Sequence, residues 1–158
     1  MRRLLLIALL FLASTAWAGP MEDASAARKR GDHAAALKIA APLAAKGEAW
    51  AQLFLGDSYR LGVGAPKNLT EAAKWYRLSA AQGHAQGQAN LGLMYAKGEG
   101  IPMDHVRAHM WFNLVAVKGD SDAVKNRDII ARLLTPRQMA EAQKLARECQ
   151  ARNFKNCD

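Results

Sequence analysis

Residues 47–82, GEAWAQLFLGDSYRLGVGAPKNLTEAAKWYRLSAAQ, and residues 83–118, GHAQGQANLGLMYAKGEGIPMDHVRAHMWFNLVAVK, decide the fold, because they are one pattern written twice. The offset is 83 − 47 = 36 residues. Gly47, Ala49, Gln52, Leu55, Gly56, Tyr59, Gly62, Gly64, Pro66, Ala72, Trp75, Leu78 and Ala80 recur as Gly83, Ala85, Gln88, Leu91, Gly92, Tyr95, Gly98, Gly100, Pro102, Ala108, Trp111, Leu114 and Ala116. Tyr76 recurs as Phe112. A fixed period in this range marks an architecture of stacked units, each burying its apolar face against its neighbours.

Each copy reads as two helices joined by a glycine-rich turn. Leu55, Gly56 and Tyr59 are three to four residues apart and share one helix face, as do Ala72, Trp75, Tyr76 and Ser79 in the second helix. Small residues at Gly56 and Ala72 permit close helix approach, so that Tyr59 and Trp75 fill the space between pairs; Gly92, Ala108, Tyr95 and Trp111 repeat the arrangement around Leu91. Gly62 falls where a left-handed helix cap favours glycine, and Pro66 keeps the helix from running on. Thr70 and Glu71 suit the start of the second helix, and Asp104 suits a cap in the second copy.

The string L-G-x-x-Y-x-x-G-x-G-x-P followed by A-x-x-W-[YF]-x-x-x-A resembles the Sel-1-like repeat, a relative of the tetratricopeptide repeat. The resemblance implies an all-α fold, an α/α right-handed solenoid of helix-turn-helix units with helical caps. It also implies the role usual for the family, an adaptor that holds another protein or peptide.

At the start of the chain, Met1-Arg2-Arg3 is basic, Leu4 to Ala13 is almost wholly apolar, and Ala16-Trp17-Ala18 ends in small residues. This is the layout of a secretory signal peptide over residues 1–18, cleaved after Ala18. The expected destination is a bacterial periplasm, with no integral membrane segment left after cleavage. Residues 19–46 read as a degenerate leading repeat, since a shift of 36 places Ala36 over Ala72 and Ile39 over Trp75. Terminal repeats drift because their outer face meets water.

Residues 119–158 keep the register only at Gly119 and read as capping helices. One starts at Asp120 or Ser121 and runs to Leu134; Thr135-Pro136-Arg137-Gln138 then writes a second start, with the last helix running to about Arg152. Cys149 and Cys157 are the only cysteines, and export makes their pairing plausible. Eight residues of unbroken helix would hold their Cα atoms roughly 12 Å apart, too far for a disulfide. Pairing therefore requires the helix to end and reverse, for which Asn153 is a suitable left-handed cap.

The formal charge of +8 becomes +6 once Arg2 and Arg3 leave with the signal. Basic residues are interleaved with acids in every segment, apart from Arg28-Lys29-Arg30, whereas a nucleic-acid reader concentrates them on one face. The charge instead favours acidic partners or anionic envelope polymers. Catalytic patterns are missing: no G-x-S-x-G, no G-x-x-x-x-G-K, no H-E-x-x-H. His105 and His109 stand one turn apart, but they occupy the places of Leu69 and Ala73 and have no third ligand nearby, so they read as ordinary helix residues. No metal or cofactor is called for.

The resemblance brings one enzymatic alternative, since some exported, cysteine-rich members of the repeat family are linked to β-lactam binding and hydrolysis. This chain departs from them: its repeats contain no cysteine, and none of Ser25, Ser58, Ser79 and Ser121 has a lysine three residues on. The preferred reading is a non-enzymatic adaptor for an envelope protein or peptide. Its binding face is expected on the concave side, at positions the repeat leaves free: Trp50, Phe54, Asp57 and Leu61, then Gln86, Asn90, Leu93 and Lys97. Trp50 and Phe54 are the aromatic anchors in that reading; packing against the leading helices is their structural alternative.

Overall fold

A computed structural model describes residues 19–158, so the expected signal segment lies outside the described residues. Within them the chain forms eight helices and no strand: α1 (Pro20–Lys29), α2 (His33–Ala45), α3 (Ala49–Leu61), α4 (Leu69–Ala80), α5 (Ala85–Lys97), α6 (His105–Ala116), α7 (Ser121–Ala131) and α8 (Pro136–Ala151). From α1 to α7 each helix packs chiefly on its neighbours in the chain, which is the stacking of an α/α solenoid. The last helix breaks that order, because α8 lies against α6.

Local chemistry sets the boundaries twice over. Gly62 and Gly98 end α3 and α5 at φ of 72° and 68°, a left-handed conformation that costs glycine little. Six residues on, the second helix of each copy is capped by the side chain of Asn68 or Asp104, which accepts from the backbone N–H of Glu71 at 3.0 Å or of Arg107 at 2.9 Å. The cap is Asn68, so α4 begins at Leu69 with Thr70 and Glu71 in its first turn. Asp120 caps α7, and Thr135 with Gln138 forms a capping box at α8.

Two glutamines hold each hairpin to the one before it. Gln52 Nε2 donates to Ala44 O at 3.3 Å, and Gln88 Nε2 donates to Ala80 O at 3.2 Å, both buried. Gln82 and Lys118, also 36 residues apart, donate to Gly47 O at 2.7 Å and Gly83 O at 3.4 Å. Carbonyls at the joints, two of them buried, are thus answered by side chains at positions that recur with the repeat.

The core runs along the stack. Tyr76 is 0% exposed and Trp111 and Phe112 2% each, with Leu55, Leu91, Ala72 and Ala108 buried beside them. Tyr95 is buried, whereas Tyr59 and Trp75, placed in the core by the repeat pattern, are only partly buried. The reason is visible at the other end of the molecule. Cys149 and Cys157 form a disulfide, their Cα atoms 5.2 Å apart, after the chain reverses through Asn153 at φ 50°. The returning tail lays Phe154, Cys157 and Asp158 against Trp111, whose Nε1 donates to Asp158 Oδ1 at 3.2 Å. Trp75 has no such cover, and its Nε1 is buried without a partner.

Candidate functional site

The stripe expected to bind a partner divides when its side chains are followed. Phe54 is 9% exposed and joins Ala27, Ala36 and Ala40 in a cluster with the leading hairpin, and Trp50 packs on the same cluster. These two aromatics are therefore not free anchors: the alanine-rich faces of α1 and α2 need a large apolar partner, and α3 supplies it. Leu93 packs partly against the main core, and Gln86 Nε2 donates to Asn90 Oδ1 at 3.1 Å on the surface of α5. Lys97 is exposed, 3.9 Å from Glu99. Leu61 is 56% exposed.

Three of the eight residues come together. Phe54, Asp57 and Leu61 line an open groove of about 310 Å³ with Arg28 of α1, His33 at the start of α2, Ser58 and Arg60 of α3, and Val63 of the following turn. The Arg28 guanidinium lies over the Phe54 ring, 5.6 Å from its centroid. His33 Nδ1 is buried without a hydrogen-bond partner.

The floor of the groove is fixed by a polar network. Tyr76 reaches across from α4, and its hydroxyl donates to Asp57 Oδ1 at 2.7 Å while accepting from Arg60 Nε at 2.9 Å. Asn90 of the next repeat adds its Nδ2 to the same Asp57 oxygen at 3.3 Å. Burial, reinforced by the Asp57 charge and hydrogen bond, pushes the Tyr76 phenol far above its ordinary value, with Arg60 only partly opposing. The hydroxyl is thus held as a donor, and Asp57 is aimed by it. With Asp57 Oδ1 held by this network, the rest of the lining is apolar at Leu61 and Val63 and cationic at Arg28 and Arg60. Arg28, His33 and Arg60 were not among the expected residues. One signal in the sequence points to their neighbourhood: Asp57 and Tyr76 change together to Leu93 and Phe112 in the next copy, as residues in contact do.

This geometry defines a class, an α/α repeat solenoid with a grooved face and no constellation of catalytic side chains in that groove. The Sel1 repeat matches residues 51–84 and 85–120, so the chain carries two Sel1 repeats. Among solved structures it is similar to a protective antigen of uropathogenic Escherichia coli strains displaying an SLR fold, with 28% identity and a TM-score of 0.81 over 87% of this chain and 30% of that one. It is also similar to a Sel1 repeat protein from Oxalobacter formigenes, with 32% identity and a TM-score of 0.62 over 67% of this chain and 42% of that one. The chain thus spans less than half the length of either. No curated protein sequence matches it. Sel1-repeat proteins are generally protein-interaction adaptors and typically non-catalytic scaffolds.

Proposed function

We propose that this chain is an exported, non-enzymatic adaptor of the bacterial envelope, and that the groove between α1 and α3 holds a segment of its partner. The observation that carries the reading is the groove itself: an apolar strip at Leu61 and Val63, bordered by Arg28 and Arg60 and floored by a fixed polar network. Such a surface favours a segment with an apolar side chain beside an acidic one, since the cationic rim steers acids and the strip removes apolar area from water. Export is supported by the signal-like residues 1–18 and by the Cys149–Cys157 disulfide, a bond that persists in oxidising compartments.

The test is capture from an envelope fraction by the purified chain and two variants. Arg60→Glu should lose the captured protein, by tenfold or more, while Lys144→Glu on exposed α8 keeps it. Equal capture by both variants removes the groove from the interface.

A further inference from the structure

A second cavity, of about 310 Å³, lies between α6, α7 and α8, apart from the groove and outside the repeat packing. It is lined by His109 and Asn113 of α6, Arg127 of α7, and Gln143, Arg147 and Gln150 of α8. His109 breaks the repeat pattern here: it stands where the preceding copy has Ala73, itself buried among apolar side chains. The imidazole is 5% exposed, and its Nδ1 is buried with no hydrogen-bond partner. Burial, aided by Arg127 and only partly opposed by Asp128, holds it below its ordinary value. A neutral ring offers a ligand one donor and one acceptor nitrogen.

The charge of the lining is one-sided. No carboxylate lines the cavity. Arg127 spends Nε and Nη2 on Asp128 Oδ1, at 2.9 and 2.8 Å, whereas Arg147 is exposed and has no ion-pair partner among the described residues. The excess is about one positive charge, which a single carboxylate neutralises and a doubly charged phosphate would overshoot. Asn113, Gln143 and Gln150 present amides that both donate and accept, as hydroxyl or amide groups on a ligand require. The volume stands at the lower end of small-molecule sites.

We propose that this cavity is a binding site for a small, hydroxylated or amide-bearing monocarboxylate, with Arg147 holding the carboxylate and the His109 imidazole hydrogen-bonding the end that is buried. It is independent of the docking groove, which lies at the other end of the solenoid.

The experiment is a titration of the full exported chain with glucuronate, inorganic phosphate and, as an uncharged control, glucose, followed through the His109 ring signals in NMR spectra. Glucuronate should shift them saturably and glucose should not, and Arg147→Gln, an exposed position that leaves the fold intact, should weaken glucuronate binding at least tenfold. Tighter binding of phosphate than of glucuronate overturns the carboxylate assignment. No saturable shift with any anion, or an unchanged affinity in Arg147→Gln, overturns the site.

Discussion

At positions 57 and 76 the first repeat has aspartate and tyrosine; at the matching positions, 93 and 112, the second has leucine and phenylalanine. The backbone is the same in both, down to the caps at Asn68 and Asp104. In the first repeat the pair is joined by a 2.7 Å hydrogen bond that extends to Arg60 and floors an open groove, whereas in the second both side chains pack into the main core. The two tryptophans diverge likewise: Trp111 is sealed by the disulfide-bonded tail, and Trp75 is only partly buried, with its N–H unanswered. A shared skeleton thus carries one repeat specialised for stability and one left polar and open, and the difference lies in side chains that the repeat pattern does not specify.

The largest test of that difference is truncation of each tryptophan. Trp111→Ala should cost about 3–5 kcal/mol, as expected for a large buried side chain, and Trp75→Ala should cost at least ~1 kcal/mol less, because part of its surface already meets water. Thermal or urea melts of the two variants decide it, and equal losses would erase the distinction. Removing the tail's anchor comes next. Replacing Cys149 and Cys157 by serine should cost about 2–3 kcal/mol by the chain-entropy argument for so short a loop, and should shift Trp111 fluorescence to longer wavelength as Phe154 and Asp158 leave it. An unshifted spectrum would mean that the tail docks without the bond.

Helix approach gives a smaller contrast. A Cβ on Gly56 would lie 2.5 Å from the Tyr76 ring, and one on Gly92 would lie 3.2 Å from Phe112 and Trp111. Gly56→Ala should therefore destabilise by about 1–3 kcal/mol, with Gly92→Ala milder. The two melts, compared in one buffer, rank them.

The smallest effect concerns pH. The folded chain keeps the Tyr76 proton well above pH 10, where an unfolded tyrosine releases its own at about 10. Above that pH the folded state binds more protons than the unfolded one, so stability falls as pH rises. Tyr76→Phe should lose less stability than the wild type between about pH 10 and 11, measured by urea melts at each pH. Identical slopes would show that the network does not hold the phenol.

Much of the fold was legible because its determinants are local or periodic. The 36-residue ladder, the glycines at 62 and 98, the box at Thr135 and Gln138, and the reversal at Asn153 each state their conformation in a few adjacent residues. The groove was legible only in part. Phe54, Asp57 and Leu61 of the expected stripe line it, but whether an exposed-looking aromatic is buried depends on the hairpin before it, whose alanine faces claimed Trp50 and Phe54. Arg28 and His33 come from that hairpin, where the repeat has drifted, so no period pointed to them. Trp75 packs on the core cluster of the leading hairpin, yet it is less buried than Trp111 for a related reason. The repeat fixes its direction, while its burial depends on the tail, which visits only Trp111.

The central claim, that the first repeat docks and the second supports, turns on Leu61 and its counterpart Lys97, which occupy the same place in successive copies. A photoreactive residue placed at each position in turn, in the native envelope, compares them directly. The account predicts a discrete protein adduct from position 61 and little or none from position 97. Equal adducts from both, or an adduct from position 97 alone, would contradict it.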